Sequence, residues 1–353
     1  MPTVAELKSI CKQNGIKNYS KLRKQELIDK CLTSKKHTLP KKTGKIYPPK
    51  KISHIPNKIL LQGPMSIYIL KSKKYHKTIV LLGEFHTNEK QYLCNNKSKF
   101  IPTSNYLEKL FKKTTEHIDF FIEMPYQKKE QYRGMKFWRG SSESELTAIG
   151  KIFDPCLSYN KEKCPYKNVY IHYTEIDKTD QHLRNMLNNT VRENYDNVIS
   201  EFIGLIQEYK TIDKYTKHLL TTLKIQKQLD NIPSNIHNKL LSALYAYINT
   251  NKYALEHLNT KNMTTKDHAF IIFHYIRYLM DLYLLARMFR KFAGITQNNV
   301  IIYAGDTHIK RIHDILIGRL EFELVYKKRH MAYKPNFLCL DISDMPKTFF
   351  SNI

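Results

Sequence analysis

Between Asp180 and Phe292 the chain holds one glycine, Gly204, and one proline, Pro233. A stretch so poor in breakers, with apolar residues recurring at three and four as in Val198, Phe202, Ile203, Leu205 and Ile206, reads as a set of long helices. The last of them is predicted from about Lys266 to Phe292. The flanks have another texture. Ser66–Leu70, Thr78–Leu82, Phe120–Glu123 and Asn168–Thr174 precede the helical block, and Asn299–Ala304, Glu321–Val325 and Phe337–Ile342 follow it. Most are short apolar runs without strict alternation, the pattern of strands buried on both faces. Strands, then helices, then strands predict an α/β body over residues 61–353. Its sheet should be mixed and mainly parallel, with flanking helices and a long all-helical insertion at about 180–293.

Charge divides the chain differently. There are 58 Lys+Arg against 32 Asp+Glu, a net +26, and 47 of the basic residues are lysine. Residues 1–58 hold 15 basic and 3 acidic side chains, so +12 of the excess sits in a sixth of the length. The rest is spread thinly, as lysine-rich composition alone would spread it. Residues 3–32 read as two short helices: Thr3 and Glu6 form a capping box on the first, Gly15 ends it, and Ser20 caps the second. A Pro- and Lys-rich linker without periodicity follows at 34–60. A basic module on a basic tether points to a polyanionic partner, most simply nucleic acid. A hairpin docking onto protein is the alternative.

The core GIKNYSKLRKQELI, with its leucine and isoleucine spacing, resembles the SAP motif, a helix-extended-helix DNA-binding module, over residues 1–33. That resemblance implies phosphate contacts from Lys17, Lys21, Arg23 and Lys24, with duplex DNA bound through residues 1–58.

Two strands of the body end alike. TIVLLGEFH places Glu84 and His86 after Gly83, and NVIIYAGDTH places Asp306 and His308 after Gly305. Open α/β sheets bind ligands beyond the carboxyl ends of their strands, where glycine allows a sharp turn. Two such turns side by side would gather imidazoles and carboxylates, the ligands of Zn, Mn, Co or Fe. DFFIEMP delivers Glu123 to a third strand end, and VYIHYTEID delivers Glu175 and Asp177 to a fourth. On the long helix His274, Tyr278 and Asp281 lie within about 60° of one another, and the stripe suits Asp281 and Tyr278 to orient a histidine. His172, inside a strand, reads as packed.

These elements resemble the superfamily of erythromycin esterase-like, ChaN-like and TraB/Tiki-type proteins, marked by paired GxxH turns, a Glu after a middle strand and an Arg near the end of the helix before the last turn. The likeness spans roughly residues 65–325, and proteins of large DNA viruses share the GEFH, LARM and AGDTH elements. It implies His86, His308 and Asp306 as metal residues, Glu84 and Glu123 as acid/base residues, and Arg287 as an oxyanion or substrate group. Arg287 lies six residues, about 120°, from Asp281, so the two should not face one site squarely.

The expected function is that of a DNA-tethered, metal-dependent hydrolase of an ester, amide or phosphoester in an unidentified small molecule or protein. A non-catalytic DNA-binding scaffold and a haem- or metal-binding carrier are the alternatives. No phosphate loop, GxSxG elbow or GxGxxG fingerprint is present. No apolar run approaches a membrane span and Met1–Lys12 lacks a signal-peptide core, so a soluble intracellular protein without a membrane partner is expected. The six cysteines are scattered and should be buried or free thiols, with a local clip between Cys156 and Cys164 the alternative.

Overall fold

Six of the seven strand-like runs enter one central sheet, the last, at Phe337–Ile342, enters a smaller one, and the breaker-poor stretch becomes helices that cover one face of the central sheet. A computed structural model describes residues 59–85, 92–95, 99–125, 145–157, 164–175, 180–257, 263–290, 298–332 and 334–346. All of these belong to one unit, Pro56–Ile353. The N-terminal module with Lys17, Lys21, Arg23 and Lys24 lies outside the described residues, as do His86, Asp177 and the side chain of Glu175.

In chain order the elements are β1 (Leu60–Gln62), β2 (Pro64–Ser72), β3 (Lys77–Glu84), β4 (Phe100–Pro102), α1 (Thr103–Lys113), β5 (Ile118–Pro125), α2 (Glu145–Leu157) and β6 (Val169–Glu175). The helical block supplies α3 (Gln181–Val191), α4 (Tyr195–Tyr209), α5 (Ile212–Thr222), α6 (Ile225–Leu229), α7 (Ser234–Glu256) and α8 (Thr265–Phe289). Then come β7 (Asn299–Gly305), α9 (Asp306–Gly318), β8 (Glu323–Arg329) and β9 (Cys339–Asp341). The main sheet has the order β6-β5-β7-β3-β2-β8. Its first four strands are parallel, while β2 and β8 join antiparallel. A small sheet, β4-β1-β9, stands apart.

The side-chain alternation of the strands sorts the core into two layers. Ile79, Leu81, Phe121, Val300 and Ile302 face the helical block and α9. Val80, Leu82, Phe120, Ile122, Ile301 and Tyr303 face α1 and α2, where Phe111, Phe120 and Phe153 meet with centroids 5.2–5.5 Å apart. β3 and β7 are buried over almost their whole length, which is why their sequences run apolar without alternation.

Helix α8 is the spine of the insertion. A capping box between Thr264 and Asp267 starts it, and its buried side chains include Ile272, Leu279, Leu282, Leu285 and Phe289. Burying five such groups contributes roughly 1.5–3 kcal/mol each before entropy is charged against it. By length and composition this helix could cross a membrane, with a mean hydropathy of 1.4 over its most apolar 18 residues. The expectation that no segment approaches a span is therefore too strict. The share of that window buried within the fold is 67%, as in a core helix.

The cysteine expectation also needs correction. Cys94 bonds Cys339 and Cys156 bonds Cys164, and among the described residues no cysteine is free. The first pair is 245 residues apart in sequence, so only the fold brings it together.

Candidate acid–base centre

Glu123 and His308 reach the same point from adjacent strands. Glu123 stands near the end of β5 on the face of Phe121, turned toward the helical block. His308 is the third residue of α9, which begins directly where β7 stops. Helix α8 crosses them and contributes Arg277 and Asp281, one turn apart.

The hydrogen bonds form a single chain. Asp281 Oδ1 is 2.5 Å from His308 Nδ1. Arg277 Nη1 donates to His308 Nε2 at 2.5 Å and to Glu123 Oε1 at 3.2 Å. The other Glu123 oxygen accepts the backbone N–H of Gly305, the residue that caps α9, at 2.5 Å. The second oxygen of Asp281 accepts from Arg311, three residues after His308. A guanidinium can only donate, so the Nε2 bonded to Arg277 is an acceptor, and Nδ1–H donates to Asp281. These partners turn the Nε2 lone pair of His308 to Arg277 and its Nδ1–H to Asp281.

Charge balance makes this burial tolerable. Two carboxylates, Glu123 and Asp281, face two guanidiniums, Arg277 and Arg311. Glu123, Asp281 and His308 are 5%, 1% and 3% exposed, whereas the Arg277 side chain keeps 23% and stands at the open side. Arg311 lies over the ring of Tyr278, 5.4 Å from its centroid, and its other nitrogen is 3.4 Å from His274 Nδ1. His274 is held below its usual pKa by burial first, and then by Arg311, Arg277 and His308. Burial pushes the Tyr278 phenol up to about 12, so it stays protonated. A small pocket opens beside the chain, lined by Glu123, Thr174, Met280, Asp281, Leu284, Ala304 and His308, with room for about one water.

Sequence-derived candidates separate accordingly. Glu123, His308 and Asp281 converge, with Asp281 on the histidine as the helix stripe suggests. Tyr278 supports Arg311 and has no hydrogen bond to His308 among those described. Three others need correction. Glu84 follows Val80 and Leu82 by two-residue steps, so it emerges on the opposite face from Glu123. There its carboxylate adds to the burial that raises the pKa of Tyr303 and of Glu145. Asp306 is held bidentately by Arg329, at 2.9 and 2.7 Å, and accepts Ser66 Oγ at 2.6 Å. A Cβ on Gly83 would come within 2.3 Å of Ser66 Oγ and 2.7 Å of Asp306 Oδ1, so this glycine makes room for that ion pair. Arg287 reaches His172 Nδ1 at 3.1 Å, and His172 Nε2 is 2.9 Å from Asp119. Six residues along α8, about 9 Å in rise, carry Arg287 away from Asp281.

Arg277 and Arg311 are absent from the sequence-derived candidates, and Arg277 is the more consequential, since it touches both His308 and Glu123. Its signal was available: an arginine four residues before Asp281 on a helix otherwise largely apolar.

Glu123 Oε1 and His308 Nε2 lie 3.5 Å apart, but the Arg277 guanidinium bonds to both. Among the described residues no three His, Cys, Asp or Glu side chains group as ligands. The two described donors, Glu123 and His308, thus hold a guanidinium between them, and His86 lies outside the described residues.

Against known families, residues 3–34 match the model for the Rho termination factor, N-terminal domain. No curated protein and no solved structure matches the chain.

Proposed function

We propose that the chain is a nucleic-acid-associated hydrolase whose body performs acid–base chemistry at His308. The observation that carries the reading is the hydrogen-bonded Asp281–His308 pair, with Arg277 on the opposite ring nitrogen and a water-sized pocket lined by His308, Glu123 and Asp281 beside it. In this mechanism the Nε2 lone pair takes a proton from water as its oxygen attacks an ester, amide or phosphoester centre. Asp281 stabilises the imidazolium that forms, and the imidazolium returns the proton to the leaving group. Arg277 swings from Nε2 to the substrate and pairs with the negative charge that develops there. Glu123 positions Arg277 and ties the start of α9 to β5. The likeness to paired-GxxH proteins supports this reading.

The nucleic-acid half of the proposal rests on the match of residues 3–34 to the Rho termination factor N-terminal domain and on the concentrated basic charge. Lys17, Lys21, Arg23 and Lys24 are its phosphate contacts, and duplex DNA is the proposed partner.

The test is a screen of the full chain against p-nitrophenyl acetate, bis-(p-nitrophenyl) phosphate and a chromogenic amide, with and without EDTA. Turnover that survives EDTA supports the acid–base mechanism. Turnover abolished by EDTA and restored by one added metal would replace it with the metal-dependent one. No turnover with any substrate class would favour the scaffold reading.

A further inference from the structure

Helix α8 is buried on nearly every side except one. Lys266, Phe270, Phe273, His274 and Arg277 fall at i, i+4, i+7, i+8 and i+11, within about 100° of arc, and all are exposed or partly exposed. This stripe is aromatic and cationic in turn. The Lys266 ammonium lies 5.9 Å from the Phe270 ring centroid and 5.8 Å from that of Tyr195 on α4. Phe270 and Phe273 are 6.4 Å apart, edge to face. The Arg277 guanidinium sits 4.5 Å over Phe273 and bonds His308 and Glu123 with its other end. Phe270, 37% exposed, is among the large apolar side chains left open to solvent. The track therefore starts on the surface and ends at the acid–base centre.

We infer that this stripe binds single-stranded nucleic acid and leads one phosphodiester to His308. Bases stack on aromatic faces regardless of sequence, and cations between the rings meet the phosphates. Eleven residues of helix rise about 16 Å, the length of about five nucleotides at the 3.4 Å axial spacing of a strand. A duplex keeps its bases stacked on one another and cannot offer them to Phe270 and Phe273. The pocket beside His308 suits a water in size, so the phosphodiester stays at its mouth on Arg277. There the water oxygen attacks phosphorus, its proton passes to Nε2, the P–O ester bond breaks, and the imidazolium protonates the departing oxygen. The cleavage step rests on the hydrolase reading above; binding along the stripe does not.

The experiment uses the full chain, fluorescent dodecamers of thymidine and of uridine, a hairpin duplex of equal charge, and 5-iodouracil versions for photocrosslinking. The expected result is a crosslinked peptide within residues 264–278 for either single strand. Phe270→Ala should weaken single-strand binding about tenfold, Lys266→Glu should weaken it and flatten its salt dependence, and neither should alter duplex binding. Crosslinks confined to residues 1–58, or unchanged single-strand affinity in both Phe270→Ala and Lys266→Glu, would overturn the inference. Crosslinks on α8 without strand cleavage would retain the track and remove phosphodiester hydrolysis. His308-dependent turnover of a carboxylic ester with no α8 crosslink would retain the hydrolase reading and overturn the track.

Discussion

Replacing Asp281 with asparagine changes one atom and should disturb both stability and chemistry. Asp281 receives two donors, His308 Nδ1–H on one oxygen and Arg311 on the other. Asparagine has one acceptor oxygen and one NH2 group. If the oxygen stays on His308, the NH2 faces the Arg311 guanidinium, whose side chain is only 15% exposed. If the oxygen turns to Arg311, His308 must accept at Nδ1 and carry its proton on Nε2, where it meets the donor of Arg277. Either arrangement buries a donor against a donor. An unsatisfied buried donor costs about 1–3 kcal/mol and a broken buried ion pair about 3–5 kcal/mol. Partial access of Arg311 to water lowers the second figure, so roughly 3 kcal/mol is expected. In a unit of this size that is a fall in Tm of about 5 °C. Loss of the orienting carboxylate should also lower kcat by about 10³- to 10⁴-fold. Circular dichroism melts at pH 7 and turnover of whichever substrate the screen finds would measure both. A Tm within about 2 °C of the unaltered chain, with turnover reduced less than threefold, would refute this account of the pair.

Other perturbations read other parts of the molecule. Burial lifts the Glu145 carboxyl from 4.5 to about 7, with Glu84 adding to it and the Ser104 N–H opposing it. A folded pKa above the unfolded one means stability is highest at low pH, falls as pH rises from about 4.5 to about 7, and is level above that, a loss of at most about 3 kcal/mol. Glu145→Gln keeps an acceptor for Ser104 and should flatten that fall, as urea titrations at pH 5, 6, 7 and 8 would show. The Cys94–Cys339 bond closes a loop of 245 residues, so Cys94→Ser with Cys339→Ser should cost about 2–5 kcal/mol, read as a lower midpoint in urea. An unchanged midpoint would mean the pair contributes nothing to stability. Deleting residues 1–58 should remove four phosphate contacts and reduce the log–log salt slope of duplex binding by about 3 to 4; a slope that survives would place duplex binding on the body.

The order of elements was legible because its signals are local. Continuous apolar runs mark β3, β5 and β7, and the absence of breakers marks the helices of the insertion. The Asp281–His308 contact was partly legible, since a polar stripe on an apolar helix has few reasons to exist besides a buried partner. Glu84 was misplaced for a physical reason: a strand's two faces differ by one residue, and only the register of β3 against β7 and β5 tells which face a carboxylate takes. Asp306 could not be resolved from sequence either, because its partner Arg329 lies on β8, two strands away from β3 in the sheet order. The same holds for Cys94 and Cys339. Long-range partners are products of topology and leave no local trace.

The most direct test of the central claim compares His308→Gln with the unaltered chain on the best substrate of the screen. Glutamine keeps polarity and approximate volume but cannot cycle a proton. The account predicts a fall in kcat/KM of at least about a hundredfold with the fold intact by circular dichroism. A correctly folded His308→Gln protein with undiminished kcat/KM would contradict it.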